Sequence, residues 1–243
     1  MRPLIGGLAA ITLSLTGTAA HAQTPPTTIF TIQAQSRVVA PSFPGRADSQ
    51  VVFEPAVIDV DYDPAFRLGF NMGVARRLSS RFGAIANMSL MSAGGQAHVR
   101  GQLPHPLYFD RPRDVAGASD VSGTHLAADL LAAAFWQPAD RLTIVAGAGP
   151  TVMRVTQSTV QKVLVAEAYP YDTVNVIGLD TRTVSGTGVG IAALVDATWH
   201  LGPRAGLGAS LQFTRASIRT GGTAPLDINA GGVRAGLGLR FHW

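Results

Sequence analysis

The chain is 243 residues long and carries a net charge of +4, yet only 14% of its residues are charged and 47% are hydrophobic. A soluble domain typically has roughly 25% charged residues. There is no cysteine, which excludes a disulfide scaffold, a thiolate metal site or nucleophile, and a lipid anchor on an N-terminal cysteine.

At the N-terminus Arg2 precedes an apolar run from Leu4 to Leu15, and Ala20-His21-Ala22 stands before Gln23. This is the layout of a secretory signal with an A-x-A cleavage site. The run is too short, and too interrupted by Gly, Ser and Thr, to span a bilayer. Residues 1–22 are therefore expected to be removed and 23–243 to form one domain. The apolar residues that follow are spread as alternation rather than concentrated in blocks.

Thr27 to Val39 alternates, with Phe30, Ile32, Ala34 and Val38 on one face and Gln33, Gln35 and Arg37 on the other. Ala40 to Ala65, rich in Pro and Asp, reads as a long connection holding a short apolar piece, Ala56 to Tyr62. Phe66 to Leu78 alternates again, Phe70, Met72 and Val74 opposing Arg67, Asn71 and Arg77. A tight turn at Ser79-Ser80-Arg81 leads to Phe82 through Leu90. Gly94 to Gly123 reads as a loop. His125 to Trp136 suits a helix as well as a strand by its Ala and Leu content, and its neighbours favour a strand. Pro138-Ala139-Asp140 turns into Leu142 to Thr156. Gln157 to Ser185 alternates poorly, with Lys162 on the parity of Val160, Leu164 and Ala166, and is expected to extend outside a membrane, as a hairpin at most. Gly186 to Leu201, then Leu207 to Phe213, alternate. The last stretch does so to the final residue, Trp243, Phe241, Leu239, Leu237, Ala235 and Val233 opposing His242, Arg240, Gly238, Gly236, Arg234 and Gly232.

Period two marks strands with one apolar face. Eight of them, joined by connections alternating short and long, predict an all-β fold. The expected form is a closed antiparallel eight-stranded transmembrane barrel, a meander with short periplasmic turns and long extracellular loops. Trp136, Trp199 and Trp243 all carry the apolar parity at strand ends on the expected periplasmic side, where aromatic rings meet headgroups. Arg76 to Leu90, Thr143 to Met153 with its Ala-Gly-Ala-Gly, Val60-Asp61-Tyr62-Asp63-Pro64 and Ala235 to Trp243 resemble the eight-stranded OmpA/OmpW-type outer-membrane barrel domains. The resemblance covers nearly all of the mature chain through pattern rather than diagnostic motif. It implies the bacterial outer membrane, insertion by the barrel-assembly machinery through the C-terminal strand, and a host or surface ligand at the long loops. It supplies no shared activity.

The parity opposite the apolar face would line the lumen with Arg37, Arg67, Arg77, Asp129, Asp196, Arg234 and Arg240, with Gln33, Gln35, Asn71, Asn87, Gln212 and Thr214 beside them. Buried charges need partners, so each Asp is expected to face an Arg across a filled polar lumen. Arg154 and Arg215 share the lipid parity. Each lies ten or more residues up an ascending strand, which is roughly 23 Å of climb and brings both to the outer headgroups. Lys162 being the only lysine, the basic balance rests on arginine. In an exported chain that favours lipopolysaccharide phosphates over nucleic acid.

Other chemistry finds little support. Asp59, Asp61 and Asp63 share a parity, but a calcium loop would want Gly at Pro64 and an acid at Phe70. Gly188 to Ala193 matches a dinucleotide string while opening a strand, not a helix. A barrel lipid A deacylase needs His and Ser side by side on a late strand facing lipid, and Leu201 follows His200. His125 and Asp129, four apart on one strand, lie roughly 13 Å apart. No metal, cofactor or catalytic residue is therefore expected. The reading is a structural or surface-interaction protein of adhesin-like kind. A narrow channel for ions or small amphipathic solutes is the alternative, and a lipid-modifying enzyme comes third.

Overall fold

The computed structural model describes residues 28–39, 43–51, 54–64, 68–108, 111–219 and 227–243. The expected signal segment, its cleavage site and Arg67 lie outside them. Ten strands and no helix occur among the described residues: β1 (Thr28–Val39), β2 (Phe43–Val51), β3 (Glu54–Pro64), β4 (Leu68–Arg77), β5 (Phe82–Leu103), β6 (Arg113–Ala139), β7 (Leu142–Glu167), β8 (Val174–His200), β9 (Ala205–Arg219) and β10 (Asp227–His242). Eight close an antiparallel ring in the order β1, β4, β5, β6, β7, β8, β9, β10. At the seam β1 pairs with β10 from Ile29↔His242 to Val39↔Val233. The start of β1 and the last residue exchange backbone bonds, Thr28 N–H to Trp243 O at 3.1 Å and Trp243 N–H to Thr28 O at 3.0 Å, so the ring has no open edge there.

The short connections 78–81, 140–141 and 201–204 share one end of the ring with the start of β1 and the end of β10. In the half of the ring nearer that end, the outward face is apolar: Phe70, Met72, Met88, Leu90, Leu130, Ile191, Val195, Leu211, Phe213, Leu237 and Leu239 are all exposed. Their inward neighbours Asn71, Asn87, Ser89, Asp129 and Gln212 are buried. Farther along the same strands, parity is kept and polarity inverts. On β5 the inward Ala97, Val99 and Leu103 are fully buried, while Gln96, Arg100 and Gln102 face out. On β6 Val115 and Val121 are buried inward, with Asp114 and Asp120 outward. An apolar exterior around a polar interior thus becomes an ordinary water-facing sheet around an apolar core.

Two expected loops and the parity around Lys162 need correction. The Gly94–Gly123 loop is strand on both sides of a short tip, with β5 and β6 paired up to Leu103↔Arg113. Within the expected Ala40–Ala65 connection, Phe43–Val51 and Glu54–Pro64 pair as the β2–β3 hairpin, whose β3 pairs with the outer part of β5 from Asp59↔Arg100 to Pro64↔Gly95. The expected long loops are thus largely sheet. Gln157–Ser185 is the outer half of one β7–β8 hairpin, paired out to Glu167↔Val174, and adds no strands to the ring. A register shift between Val160 and Lys162 also separates residues that sequence parity had grouped. Val160 and Val163 both turn inward and are buried, while Lys162 is exposed.

The β2–β3 hairpin docks on the outer apolar core through Ile58, Val60 and Tyr62. The Tyr62 hydroxyl oxygen accepts the Val160 N–H at 2.8 Å, pinning the hairpin to the β7 bulge. Burial raises the pKa of that hydroxyl, and the Val160 bond opposes the shift. Tyr62→Phe leaves the Val160 N–H without this buried acceptor and is expected to cost about 1–3 kcal/mol locally. Faster hydrogen exchange at Val160, with the belt amides unchanged, is the expected readout.

Candidate functional site

The lumen is layered. Near the short-turn end Ile29, Ala75, Ile85, Leu131, Phe135 and Val145 form one apolar cluster. Toward the other end Met153, Val155, Ala216, Ile218 and Ala230 belong to the larger outer core. A polar layer lies between them, so the lumen is filled by alternating chemistry rather than by polar groups alone, as the sequence parity had implied.

Arg240 and Asp196 form the tightest polar contact, which lies level with the lower apolar cluster rather than above it: on β8 Asp196 is nearer the short turns than Ala192 and Leu194, and it pairs in register with Val145. Arg240 is fully buried; its Nη2 pairs with Asp196 Oδ2, and its Nε lies 3.3 and 3.2 Å from the two carboxylate oxygens. Gln33 Oε1 accepts from Arg240 Nη2 at 2.7 Å and from Ser210 Oγ at 3.0 Å. Thr198 Oγ1 donates to Asp196 Oδ1 at 2.9 Å. A Cβ on Gly208 would lie 2.5 Å from Arg240 Cζ, so any larger residue there would have to push the guanidinium aside.

The second carboxylate departs from expectation. Asp129 Oδ2 accepts from Gln212 Nε2 at 2.6 Å and forms no ion pair among the described residues. Arg234 instead donates to two hydroxyls, Ser89 Oγ at 2.8 Å and Thr214 Oγ1 at 2.6 Å. Arg37 Nη2 donates to His125 Nδ1 at 2.8 Å. The cause is register: Gln212 and Arg234 are cross-strand partners on β9 and β10, and strand shear brings the amide rather than the guanidinium to Asp129. Arg77 sits lower, its Cζ 4.9 Å from the Phe135 ring centroid.

On the outside, Arg154 and Arg215 are exposed. Arg154 pairs in register with Leu126 and Thr187, and Arg215 with Ile191 and Gly231. One strand and four residues of β8 separate them, so they form two positions and not one site. Trp199 and Trp243 are exposed and Trp136 is half-buried; all three stand at the short-turn end. Sequence reasoning missed a latch between the outer tips. Arg113, 5% exposed, donates to Glu167 Oε1 at 2.6 Å, Pro104 O at 2.8 Å and Tyr171 O at 2.9 Å. Its inward parity beside Val115 was the available signal, hidden because the segment read as loop.

This geometry matches solved structures. The outer membrane protein OprG from Pseudomonas aeruginosa is similar at a TM-score of 0.51 and 9% identity, over 90% of this chain and 96% of that one. The chain shares the OprG fold. Ail, the attachment invasion locus protein of Yersinia pestis, matches at a TM-score of 0.40 and 12% identity, over 89% of this chain and 99% of its own. The outer membrane protein AlkL, solved in lipid bilayers, matches at 0.36 and 16%, over 96% and 97%. No family model and no curated protein matches the sequence.

Within this fold the other candidates are scattered. Asp59, Asp61 and Asp63 line the exposed face of β3, opposite Arg100, His98 and Gln96 in register, with His98 Nε2 3.7 Å from Asp63 Oδ2. A hydrogen bond of 2.8 Å joins His200 Nε2 to Thr143 Oγ1, and no carboxylate bonds that imidazole among the described residues. His125 is held by Arg37 rather than Asp129. No group of three metal-ligating side chains occurs among the described residues.

Proposed function

We propose that the chain is a bacterial outer-membrane β-barrel with a filled lumen, serving as a structural or surface-interaction protein and performing no catalysis. The polarity inversion along β5 and β6 carries this reading. Apolar Leu90 and Leu130 face outward on the same strands whose Gln96, Arg100 and Asp114 face outward farther on, as a sheet leaving lipid for water requires. The apolar outer core favours a plug over a channel, because an ion would meet dry side chains there. Residues 1–22 would be the cleaved signal, and β10 would present the assembly signal to the barrel-assembly machinery.

Heat-modifiable electrophoretic migration tests the barrel, and an unshifted band would overturn it. Steady single-channel current in a planar bilayer would replace the plug with the narrow-channel alternative, and altered lipid products after incubation with outer membrane would revive the enzyme.

Arg154 and Arg215 would reach the outer headgroups, where a planar donor suits lipopolysaccharide phosphates. Charge reversal of both is expected to weaken lipopolysaccharide co-purification while heat-modifiable migration persists. Undiminished co-purification would leave both arginines simply solvated.

A further inference from the structure

The seam between β1 and β10 sets two cations against each other. Arg37 and Arg234 are register partners there, and both are buried in the lumen, at 8% and 3% exposure. Like charges directly opposite on neighbouring strands repel, more so where water is excluded. Buried charges are normally paired, yet neither guanidinium forms an ion pair among the described residues. Asp196 is taken by Arg240, and Glu167 by Arg113. Asp227 stands opposite Arg219 at the outer end of β10, and Asp48 opposite Lys162 on the outer hairpin. Asp129 is held by Gln212, which flanks Arg234 on the β9 side while Arg37 flanks it on the β1 side. Outside the described residues the only acid is Asp110, which the sequence puts beyond the Leu103↔Arg113 pair, at the far end of the strand whose Ser89 bonds Arg234. Two arginines against one aspartate leave this layer with one positive charge in excess.

Its donors are in excess as well. Arg37 Nη2 donates to His125 Nδ1 at 2.8 Å. A guanidinium can only donate, so Nδ1 carries no proton and the imidazole hydrogen sits on Nε2. That Nε2–H, Arg37 Nε–H and Arg234 Nε–H are all buried and have no acceptor among the described residues. Val155, opposite His125 in register, and Met153 belong to the apolar outer core, so little water screens the charge. An unfilled buried donor is costly. Three of them beside an uncompensated charge call for one thing, a negatively charged acceptor. We infer that the lumen binds one small monovalent anion of halide type at the Arg37–Arg234 pair, with His125 Nε2–H as a further donor. A single negative charge matches the excess, whereas a divalent oxyanion would leave the layer negative. The inference rests on the filled-lumen reading and makes a bound ion part of the plug. The two can fail separately, since heat-modifiable migration reports the barrel alone.

The full chain, refolded from urea in detergent, supplies the test. Chloride is titrated against gluconate at fixed ionic strength, so that general screening stays constant. An anion bound only by the folded state lowers the unfolding equilibrium constant in proportion to its concentration above Kd. About a tenfold lower constant is expected for each tenfold rise in chloride in that range. Arg37→Gln removes the excess charge while keeping an amide donor for His125, and should erase the chloride dependence. Arg81→Gln, at an exposed turn position, should keep it. Crystals of protein refolded in bromide should show anomalous scattering at the Arg37–Arg234 pair. Equal stability in chloride and gluconate, an unchanged chloride dependence in Arg37→Gln, or no bromide at that pair would each overturn the inference and leave water as the occupant.

Discussion

Replacing Asp196 by alanine is expected to destabilise the protein by about 3–5 kcal/mol, the usual cost of stranding one partner of a buried ion pair. Arg240 is fully buried and would keep only Gln33 Oε1 and its own strand's Leu239 O as acceptors. Thr198 Oγ1 would lose its acceptor as well. The Asp196→Ala, Arg240→Met double substitution removes both charges and fills the space with a flexible apolar side chain, so it should be milder than Asp196→Ala alone. Urea unfolding in detergent, followed by tryptophan fluorescence, measures both. Asp129→Ala is the informative comparison. It strands an amide of Gln212 rather than a charge, and Arg234 keeps Ser89 and Thr214, so about 1–3 kcal/mol is expected. Equal losses at the two aspartates would mean that the pair at Asp196 has no special weight.

That asymmetry shows where sequence reading stops. Inward parity for Asp129, Asp196, Arg234 and Arg240 follows from alternation, because a strand has only two faces. Which residue meets which depends on shear, and shear is set by the register of all eight pairings together. The alternation was plainest where one face meets apolar surroundings and the other a polar lumen, as at Met88 and Leu90 against Asn87 and Ser89. It blurred in β6 from Ala127 to Trp136, where Leu131 and Phe135 face the lower apolar cluster while Leu130 faces out. A strand apolar on both faces looks like a buried helix in composition.

The outer halves of β5 and β6 were misread for a different reason. Their apolar residues Val99, Leu103, Val115 and Val121 keep the inward parity, opposite to the apolar parity of the belt. A search for one continuous apolar face sees this as broken pattern, and the Gly and Pro content then argues for loop. The bulge between Val160 and Lys162 hid β7 and β8 in the same way, by shifting the apolar set from one parity to the other. In β3, Ile58, Val60 and Tyr62 alternate with Asp59, Asp61 and Asp63, but over too few residues to outweigh the prolines around them.

The inversion also sets up the sharpest test of where lipid ends. Leu130 is 62% and Leu107 58% exposed, so a chain surrounded by water on all sides would tolerate arginine at either with little effect. Leu130 lies six residues from Trp136 along β6, which at about 3.3 Å per residue and a 45° tilt is about 14 Å above the aromatic boundary, near the middle of an apolar band about 25 Å tall. Leu130→Arg is therefore expected to cost about 2–4 kcal/mol and to slow insertion into lipid vesicles. Leu107 stands in the β5–β6 tip, beyond the polarity inversion, and Leu107→Arg should change stability by no more than about 0.5 kcal/mol. Folding efficiency into vesicles of two thicknesses separates burial in lipid from ordinary packing, since only the former should deepen as the bilayer thickens. Equal, small effects at both leucines would place the belt in water and make its exposed side chains the face of a protein–protein contact instead.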